Sequence, residues 1–289
     1  MLRTATALVA LLAATPALAQ TAADPTLPNP NDQSDTFTIA AGGALVPDYE
    51  GSDDYEFTPF GAIRGRVSGM SFFSRGTYLY LDVVRRPTSG IDFDAGPIIG
   101  VRRERIGHIK DDFVDALPNR KTAFEVGGFA GVTFHGLTNP YDSLSIRLDV
   151  VHDIGNAHES TIVTPNIDFG TPLSKRTYIG ASLSADFVSN RYADYYYSFD
   201  GFGPALAQKG GPQAIIILPS GYNAHGGLKN WKLSTLINQS ITGDLTHGLS
   251  IFGAGSYSRI VGSIADSPIV DDRGSKSQWQ AALGLAYTF

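Results

Sequence analysis

One histidine of this chain lies close in sequence to two serines, a combination that could support nucleophilic hydrolysis. His135 is followed by Ser143 and Ser145 in the next alternating segment. A serine hydrolase needs a hydroxyl, a base within hydrogen-bond reach and a third group that orients the base. No Gly-x-Ser-x-Gly turn, His-Glu-x-x-His segment or phosphate-binding glycine loop accompanies them. Polar residues are common on one face of a strand, so we predict no catalytic residue and no enzyme activity.

Two acidic segments could bind divalent cations through carboxylate oxygens. They are PDYEGSDD (47–54) and PIVDDRG (268–274). Solvated loop charge is the simpler interpretation of both, so we predict no metal site and no cofactor. The chain has no cysteine, which excludes thiolate metal sites, disulfides and cysteine nucleophiles.

Composition narrows the class of protein further. The 289 residues carry a net charge of −6, and 17% of them are charged, against about 25% in typical soluble domains. Glycine (32 residues) and aromatic residues (11%) are abundant, which favours strands and turns. The mild acidity argues against a nucleic-acid partner, which requires a basic surface.

The N-terminal residues have the order of features of a secretory signal. Arg3 precedes the apolar run ALVALLAA (7–14), and ALA (17–19) fits the small-residue cleavage site. We therefore predict a signal peptide at 1–19. Residues 20–36 contain prolines and no apolar period, which predicts a flexible periplasmic lead-in.

From Phe37 onward apolar and polar residues alternate with a period of two, which predicts β-strands. Eleven segments follow this pattern: 37–46, 55–67, 71–84, 91–104, 122–135, 142–154, 161–170, 177–187, 223–241, 247–261 and 279–289. No segment shows a convincing helical period. Many of the eleven are about 10–14 residues long, whereas strands of soluble proteins average about five or six.

Long alternating strands in a secreted, helix-poor chain predict a transmembrane antiparallel β-barrel over residues 37–289. Tilted strands of about ten residues cross a bilayer, and only helices and closed barrels satisfy every backbone group there. We expect the outer membrane of a Gram-negative bacterium, with lipid and lipopolysaccharide as surroundings. In the last strand, Trp279, Tyr287 and Phe289 are predicted to belong to an aromatic girdle. A periplasmic or secreted all-β domain is the alternative.

Eleven strands do not close a single-chain bacterial barrel, because the number is usually even. We predict twelve, with the extra strand at AIIIL (214–218); ten would result if one weak segment were not a strand. The turns at 68–69 and 242–246 would then face the periplasm, and the loops at 47–54, 190–221 and 263–277 would face outward.

The segment RYADYYYSFD (191–200) concentrates tyrosine at a predicted strand end. Tyrosine is enriched at membrane interfaces and also at protein interfaces. The membrane belt is the simpler interpretation. A partner-binding patch formed by Tyr195, Tyr196 and Tyr197 is the alternative.

Two segments resemble the signatures of the MltA-interacting protein (MipA)/OmpV family. GGALVPDYEGSDDYEFTPF (42–60) carries the first, and GSIADSPIVDDRGSKSQWQAALGLAYTF (262–289) the second. The matching residues are Pro47, Tyr49, Gly51, Ser52, Tyr55, Pro59, Asp266, Ser267, Pro268, Gly274 and Ser275. The chain departs from the pattern at YYYSFDGF (195–202), where the family more often has a Tyr-Phe/Tyr-Gly-Val-Ser run.

The resemblance implies an outer-membrane barrel over essentially all of the mature chain. For the founding member it implies a scaffold that bridges a murein lytic transglycosylase and a bifunctional murein synthase. Other members are linked to adhesion or to osmotic or antibiotic responses. We therefore expect a non-enzymatic scaffold that contacts its partners through the periplasmic turns and the lead-in. A small channel, or an adhesion or stress-response barrel, is the alternative.

Overall fold

The computed structural model describes residues 35–84, 90–200 and 221–289, which form one closed antiparallel β-barrel. Each strand pairs with its neighbour in sequence, and β1 pairs with β12 to close the wall. The strands are β1 (Thr36–Pro47), β2 (Tyr55–Val67), β3 (Met70–Arg75), β4 (Tyr78–Asp82), β5 (Ile91–Arg102), β6 (Ala123–His135), β7 (Ser143–Asp153), β8 (Thr161–Pro172), β9 (Thr177–Val188), β10 (Gly227–Ser240), β11 (Gly248–Ile260) and β12 (Ser277–Thr288). The predicted fold and the predicted twelve strands are confirmed.

The twelfth strand arises from a different segment than predicted. Residues 71–84, predicted as one strand, form the short strands β3 and β4 around a turn at Gly76. The φ of Gly76 is 58°, a value that glycine adopts without the steric cost of a Cβ. The segment 214–218 lies outside the described residues, and the wall closes without it. β3 and β4 have 6 and 5 residues, whereas the shortest of the other described strands, β7, has 11.

The register of the ladder separates a lumen face from an outward face. Thr38 and Thr288 lie opposite each other with their hydroxyls 2.9 Å apart inside the barrel. The outward face carries large apolar side chains, of which the most exposed strand residues, at more than 60%, are Phe57, Phe93, Trp279 and Leu283. Soluble monomers rarely expose so extensive an apolar surface. This belt suits the hydrocarbon of a bilayer.

Outward-facing aromatic residues mark two levels along the barrel: an upper level, which contains Trp279, and a lower level, which contains Phe289. At one level Trp279 packs on Tyr257 with ring centroids 4.7 Å apart. At the other, Phe289 packs on Tyr287 (4.7 Å) and Phe37 (6.2 Å). The β12 positions 279 and 287 are separated by about 27 Å at about 3.4 Å per residue. With a tilt of about 40°, this corresponds to about 20 Å of membrane thickness, close to the apolar band of about 25 Å in outer-membrane barrels.

The longer connections lie at one end of the barrel, which we call the loop end; the opposite end is the turn end. As predicted, the loops 48–54 and 261–276 and the described residues 189–200 and 221–226 share the loop end, and the turns 68–69 and 241–247 share the turn end. The helices of the described residues all belong to the loop end: α1 (Asp112–Ala116), α2 (Asn190–Tyr197), α3 (Gly262–Ala265) and α4 (Pro268–Asp271).

The sequence pattern predicted no helix, so these four are a correction. They have four to eight residues, too few to show a helical period against the surrounding loops. Within residues 35–84, 90–200 and 221–289, no helix has the length and apolar character needed to cross a membrane.

Candidate functional site

Helix α2 occupies the mouth of the barrel at the loop end. Ser189 precedes it, and its Oγ accepts a hydrogen bond from the N–H of Tyr192 at 3.4 Å. The buried residues of the helix are Tyr192, Ala193, Tyr196 and Tyr197. Positions four apart lie on one face of a helix, so this spacing turns one aromatic face into the lumen. There it packs against wall residues such as Ile98 and Val188.

The tyrosines predicted to form a membrane belt or a partner patch belong to helix α2 in the mouth of the barrel. Tyr196 and Tyr197 are only 2% and 3% exposed. Tyr195 packs edge-on against Tyr196 at 4.8 Å, and its hydroxyl accepts a hydrogen bond from the N–H of Lys121 at 2.8 Å. Because the segment is a helix inside the mouth and not the end of a strand, its rings fill the lumen. The membrane belt was therefore wrong for Tyr196 and Tyr197, and the partner patch stays a prediction.

Lys229 is the centre of an ion network beneath α2. Its Nζ lies 2.9 Å from the carboxylate of Glu50 and 3.1 Å from that of Asp186, and its side chain is 1% exposed. A bulge in β10 between Leu228 and Asn230 brings Lys229 to the lumen side. Asn230 also donates hydrogen bonds to Glu50 (2.9 Å) and Asp186 (3.3 Å). Since Glu50 belongs to the β1–β2 loop, the network ties that loop to the wall.

A second cluster is centred on Glu125 of β6. Its carboxylate accepts a hydrogen bond from Nε of Arg102 at 2.9 Å and lies 2.9 Å from Nε2 of His158. The hydroxyl of Tyr78 also donates to it. The guanidinium of Arg102 lies 5.5 Å from the ring centroid of Tyr192, within the range of a cation–π contact. The charged residues of the wall therefore contact the aromatic face of α2.

A third cluster lies on the lumen side of β3, β7 and β8. Nε of Arg147 is 2.7 Å from Oδ1 of Asp149, and Nη2 of Arg75 is 2.7 Å from Oδ1 of Asp168. The guanidinium of Arg147 also lies 5.3 Å from the ring centroid of Tyr80. Buried charges are tolerated only when they are paired and hydrogen-bonded, and these clusters meet that condition. We call α2, the β1–β2 loop and the first two clusters the plug.

The two segments that resemble family signatures contact each other above the plug. The hydroxyl of Tyr49 donates to the carbonyl of Ile269 at 3.0 Å. The N–H of Ser275 donates to the carbonyl of Gly51 at 2.7 Å. A Cβ on Gly274 would lie 1.9 Å from that same carbonyl oxygen, so only glycine fits there. We call this contact between the loops 48–54 and 261–276 the latch.

Further signature residues complete the latch. Nε2 of Gln278 donates to the carbonyls of Ser52 (3.0 Å) and Ser275. Oγ of Ser267 donates to the carbonyl of Tyr197 at 2.8 Å, which satisfies a carbonyl at the end of α2. The remaining signature residues are Pro47 at the end of β1, Tyr55 at the start of β2, Pro59 within β2, Pro268 at the start of α4, and Asp266, which pairs with Lys276 at 3.3 Å.

The pKa values of two loop carboxyls follow from this environment. Burial raises the pKa of Glu50, but the charges of Lys229 and Arg102 outweigh burial, so its pKa lies below the ordinary value. Glu104 accepts a hydrogen bond from the N–H of Glu50 at 3.0 Å. The pKa of Glu104 is raised, mainly by burial and secondly by repulsion from the charge of Glu50. At neutral pH the charge of Glu50 therefore stabilises the plug, whereas the charge of Glu104 opposes it.

The residues considered above for hydrolysis and for metal binding form contacts within the wall and the latch. Nε2 of His135 lies 3.0 Å from Oδ2 of Asp92, and the cross-strand neighbours of His135 and Thr133 on β7 are Ser143 and Ser145. The acidic segments 47–54 and 268–274 belong to the latch. Across the part of the chain that the structure describes, no group of three or more His, Asp or Glu residues is placed to hold a metal ion.

The residues of the ion network were missed from the sequence, although one signal was present. Trp231 and Leu233 face outward, so strict alternation places Lys229 on the lipid side, where a lysine is costly. That conflict indicates a bulge, which the structure contains. The partner Glu50 lies 179 residues away in sequence, and no local pattern indicates it.

The barrel is similar to several solved structures at low sequence identity. The NanC porin matches with a TM-score of 0.45 and 8% identity, covering 87% of this chain and 98% of that chain. An outer membrane channel from Pseudomonas putida F1 matches with a TM-score of 0.42 and 10% identity, covering 89% and 96%. The toluene transporter TodX from Pseudomonas putida matches with a TM-score of 0.35 and 9% identity, covering 96% and 93%.

Comparison with curated proteins finds no match. The family described as MltA-interacting protein MipA matches residues 39–289, from β1 to the end of the chain. Because this match spans nearly the whole barrel, including both latch segments, the chain belongs to the MltA-interacting protein MipA family.

Proposed function

We propose that the protein is a non-enzymatic outer-membrane scaffold that holds a murein lytic transglycosylase at the inner face of the membrane. The observation that carries this proposal is the plug. Tyr192, Lys229 and Glu125 are buried inside the loop end of the barrel and are held by ion pairs and hydrogen bonds. A lumen filled in this way suits a barrel that anchors a partner better than one that conducts solutes. The name of the family supplies the class of partner.

The orientation follows from the two ends of the barrel. In this proposal the signal peptide (1–19) directs export and is removed. We place the lead-in (20–36) and the turn end on the periplasmic side, where murein and its enzymes lie. The loop end then faces outward beside lipopolysaccharide. Short turns inside and long loops outside are the usual arrangement of outer-membrane barrels.

The turn end offers a contact surface for the partner. Three of its connections each carry one exposed large apolar residue: Leu137, Leu173 and Ile241, which are 53%, 61% and 49% exposed. Lys175 and Arg176 are also exposed beside Leu173. Apolar side chains with a polar rim are typical of protein interfaces. β1 begins at the same end, so the proposed lead-in would add to this surface. A murein synthase is a second partner that this surface could hold.

A pull-down tests the proposal. A transglycosylase of the MltA class, immobilised on resin, should retain the solubilised barrel more strongly than an unrelated barrel of similar size. Leu173→Asp should weaken retention at least tenfold, because it places a charge in the apolar surface. Ile154→Asp is the matched control, since Ile154 is 60% exposed but lies at the loop end. Equal recovery of this protein and the unrelated barrel would refute the scaffold.

The small channel remains the competing function. Conductance across planar bilayers separates the two proposals. Stable ohmic steps from the wild-type protein, together with no retention by the transglycosylase, would favour the channel or a porin-like stress-response role.

A further inference from the structure

The short hairpin β3–β4 leaves part of the barrel wall incomplete. β3 pairs with β2 only along Arg64–Val67. Next to that ladder, Oγ of Ser74 accepts a hydrogen bond from the N–H of Ile63 at 2.9 Å and donates to its carbonyl at 3.2 Å. Beyond this point, residues 55–62 of β2 pair with β1 on one side and, among the described residues, have no strand on the other.

The open edge of β2 is poor in hydrogen-bond donors. The backbone N–H and C=O of Ile63 both point toward Ser74. Successive residues of a strand point these groups to opposite sides, so those of residues 57, 59 and 61 point to the same open side as those of Ile63. Position 59 is proline, which has no N–H. Proline on a strand edge is a common device against pairing with another strand. A partner strand is therefore a poor occupant of this edge.

A cavity of about 330 Å³ lies at this gap and is lined by residues from both faces of the wall. Ile39, Ile63 and Leu79 reach it from the outward face, and Ala40 and Ala62 from the lumen face. We call this opening the window. Its lining is mainly apolar. The hydroxyl of Ser74 is used within the wall, as described above, and that of Thr77 donates to the carbonyl of Val101, so neither needs a water partner.

The window lies at the depth of the bilayer hydrocarbon. At its loop-end limit the hydroxyl of Tyr55 accepts a hydrogen bond from the N–H of Trp279, a residue of the upper aromatic level. Lys110 closes this limit by donating to the carbonyl of Tyr55. On the other side, Phe72 packs on Phe37 of the lower aromatic level at 5.9 Å. The window lies between these two levels, where the surrounding solvent is lipid.

We propose that the window binds the hydrocarbon chain of one fatty acid, which enters it from the membrane. The cavity is at the lower end of ligand-site volumes, which run from about 300 to 1,000 Å³, so one narrow chain suits it. Its apolar lining, its depth in the membrane and the missing donor at Pro59 all favour hydrocarbon over water or a peptide strand. The lining of the window includes Tyr78, whose hydroxyl belongs to the second cluster of the plug.

Cysteine labelling tests whether the window opens to lipid. The chain has no cysteine, so single variants report single positions. Ala62→Cys places a thiol on the lumen face at the window, and Ala254→Cys places one on the lumen face of β11, away from it. Both positions are partly exposed. Pyrene maleimide dissolved in phospholipid vesicles should label Ala62→Cys at least tenfold faster than Ala254→Cys. Equal rates would overturn the proposal.

Ligand retention tests the occupant. Native mass spectrometry of the detergent-purified wild-type protein with palmitic acid should show one bound palmitate. Gly61 lines the window, and the nearest atom to its added Cβ is 3.8 Å away, so Gly61→Phe should fill the site and reduce retention at least tenfold. Gly253→Phe is the matched control, because Gly253 is an outward glycine with its nearest atom at 4.0 Å. Equal retention by both variants would overturn the proposal. If Gly61→Phe does not assemble, the labelling result decides.

Discussion

The substitution Lys229→Met tests whether the ion network keeps the plug in the lumen. Methionine keeps an unbranched chain of similar length but removes the charge, so two carboxylates lose a cation at 2.9 and 3.1 Å. Removing one partner of a buried ion pair costs about 3–5 kcal/mol. At about 1.4 kcal/mol per factor of ten, the ratio of open to closed plug should rise by about 100- to 4,000-fold.

Lys232→Met is the matched control for this experiment. Lys232 faces the lumen from the same strand but is only partly buried. The fraction of time that single barrels conduct in planar bilayers is the measurement, with cleavage of the loop end by proteinase K as a second readout. We expect Lys229→Met to conduct at least tenfold more often than wild type and Lys232→Met to match wild type. Heat-modifiable migration on gels should show that both variants are assembled.

Identical behaviour of the two lysine variants would refute this role of Lys229. Equal open fractions and equal cleavage would mean that the pairing of Lys229 does not hold the plug. If the wild-type protein conducted for the same fraction of time as Lys229→Met, the same conclusion would follow.

Further substitutions probe the plug, the latch and the closing seam. Glu50→Gln should destabilise the plug by about 1.5–3 kcal/mol at pH 7. Because the pKa of Glu50 is lowered in the plug, this stability should begin to fall below about pH 4.3, the ordinary pKa of glutamate, and the conductance of wild type and variant should become equal only below the lowered pKa. Glu104→Gln removes a charge whose pKa is raised, so it should reduce conductance at neutral pH and change little in acid, where Glu104 is already protonated. Gly274→Ala should cost about 1–3 kcal/mol through its clash with a backbone carbonyl, seen as a lower unfolding temperature on heat-modifiability gels, whereas Gly253→Ala should have little effect. Phe289→Ala should cost about 0.5–1.5 kcal/mol for each of the two ring pairs that Phe289 forms near the β1–β12 seam, measured by the same gel assay.

The strands were predictable because their pattern is local and the membrane enforces it. The predicted segment 122–135 corresponds to β6 (Ala123–His135), and 177–187 to β9 (Thr177–Val188). A charged side chain on the wrong face of such a strand would lie in lipid, so alternation holds along these strands and breaks where a bulge moves Lys229 to the lumen side. The prediction failed at 71–84, where Gly76 divides the segment into strands too short to cross the membrane.

The contents of the lumen were not predictable in the same way. The hydrogen bond between Tyr49 and Ile269 joins residues 220 positions apart, and the pair of Lys229 and Glu50 joins residues 179 positions apart. Neither interaction has a local pattern, because both exist only after the wall has closed. The burial of Tyr196 and Tyr197 was missed for the same reason, since the lumen that buries them is formed by other strands.

The sequence by itself determined the barrel, its apolar belt, its aromatic levels and its family resemblance, because each depends on alternation along one strand or on a short motif. Only the tertiary structure decided that the signature motifs form a latch, that a helix and buried ion pairs fill the loop end, and that a short hairpin opens a window in the wall. These features depend on which distant residues the closed ladder brings together and on where a strand ends relative to its neighbour. Both are set by the register of the whole barrel and by no single segment.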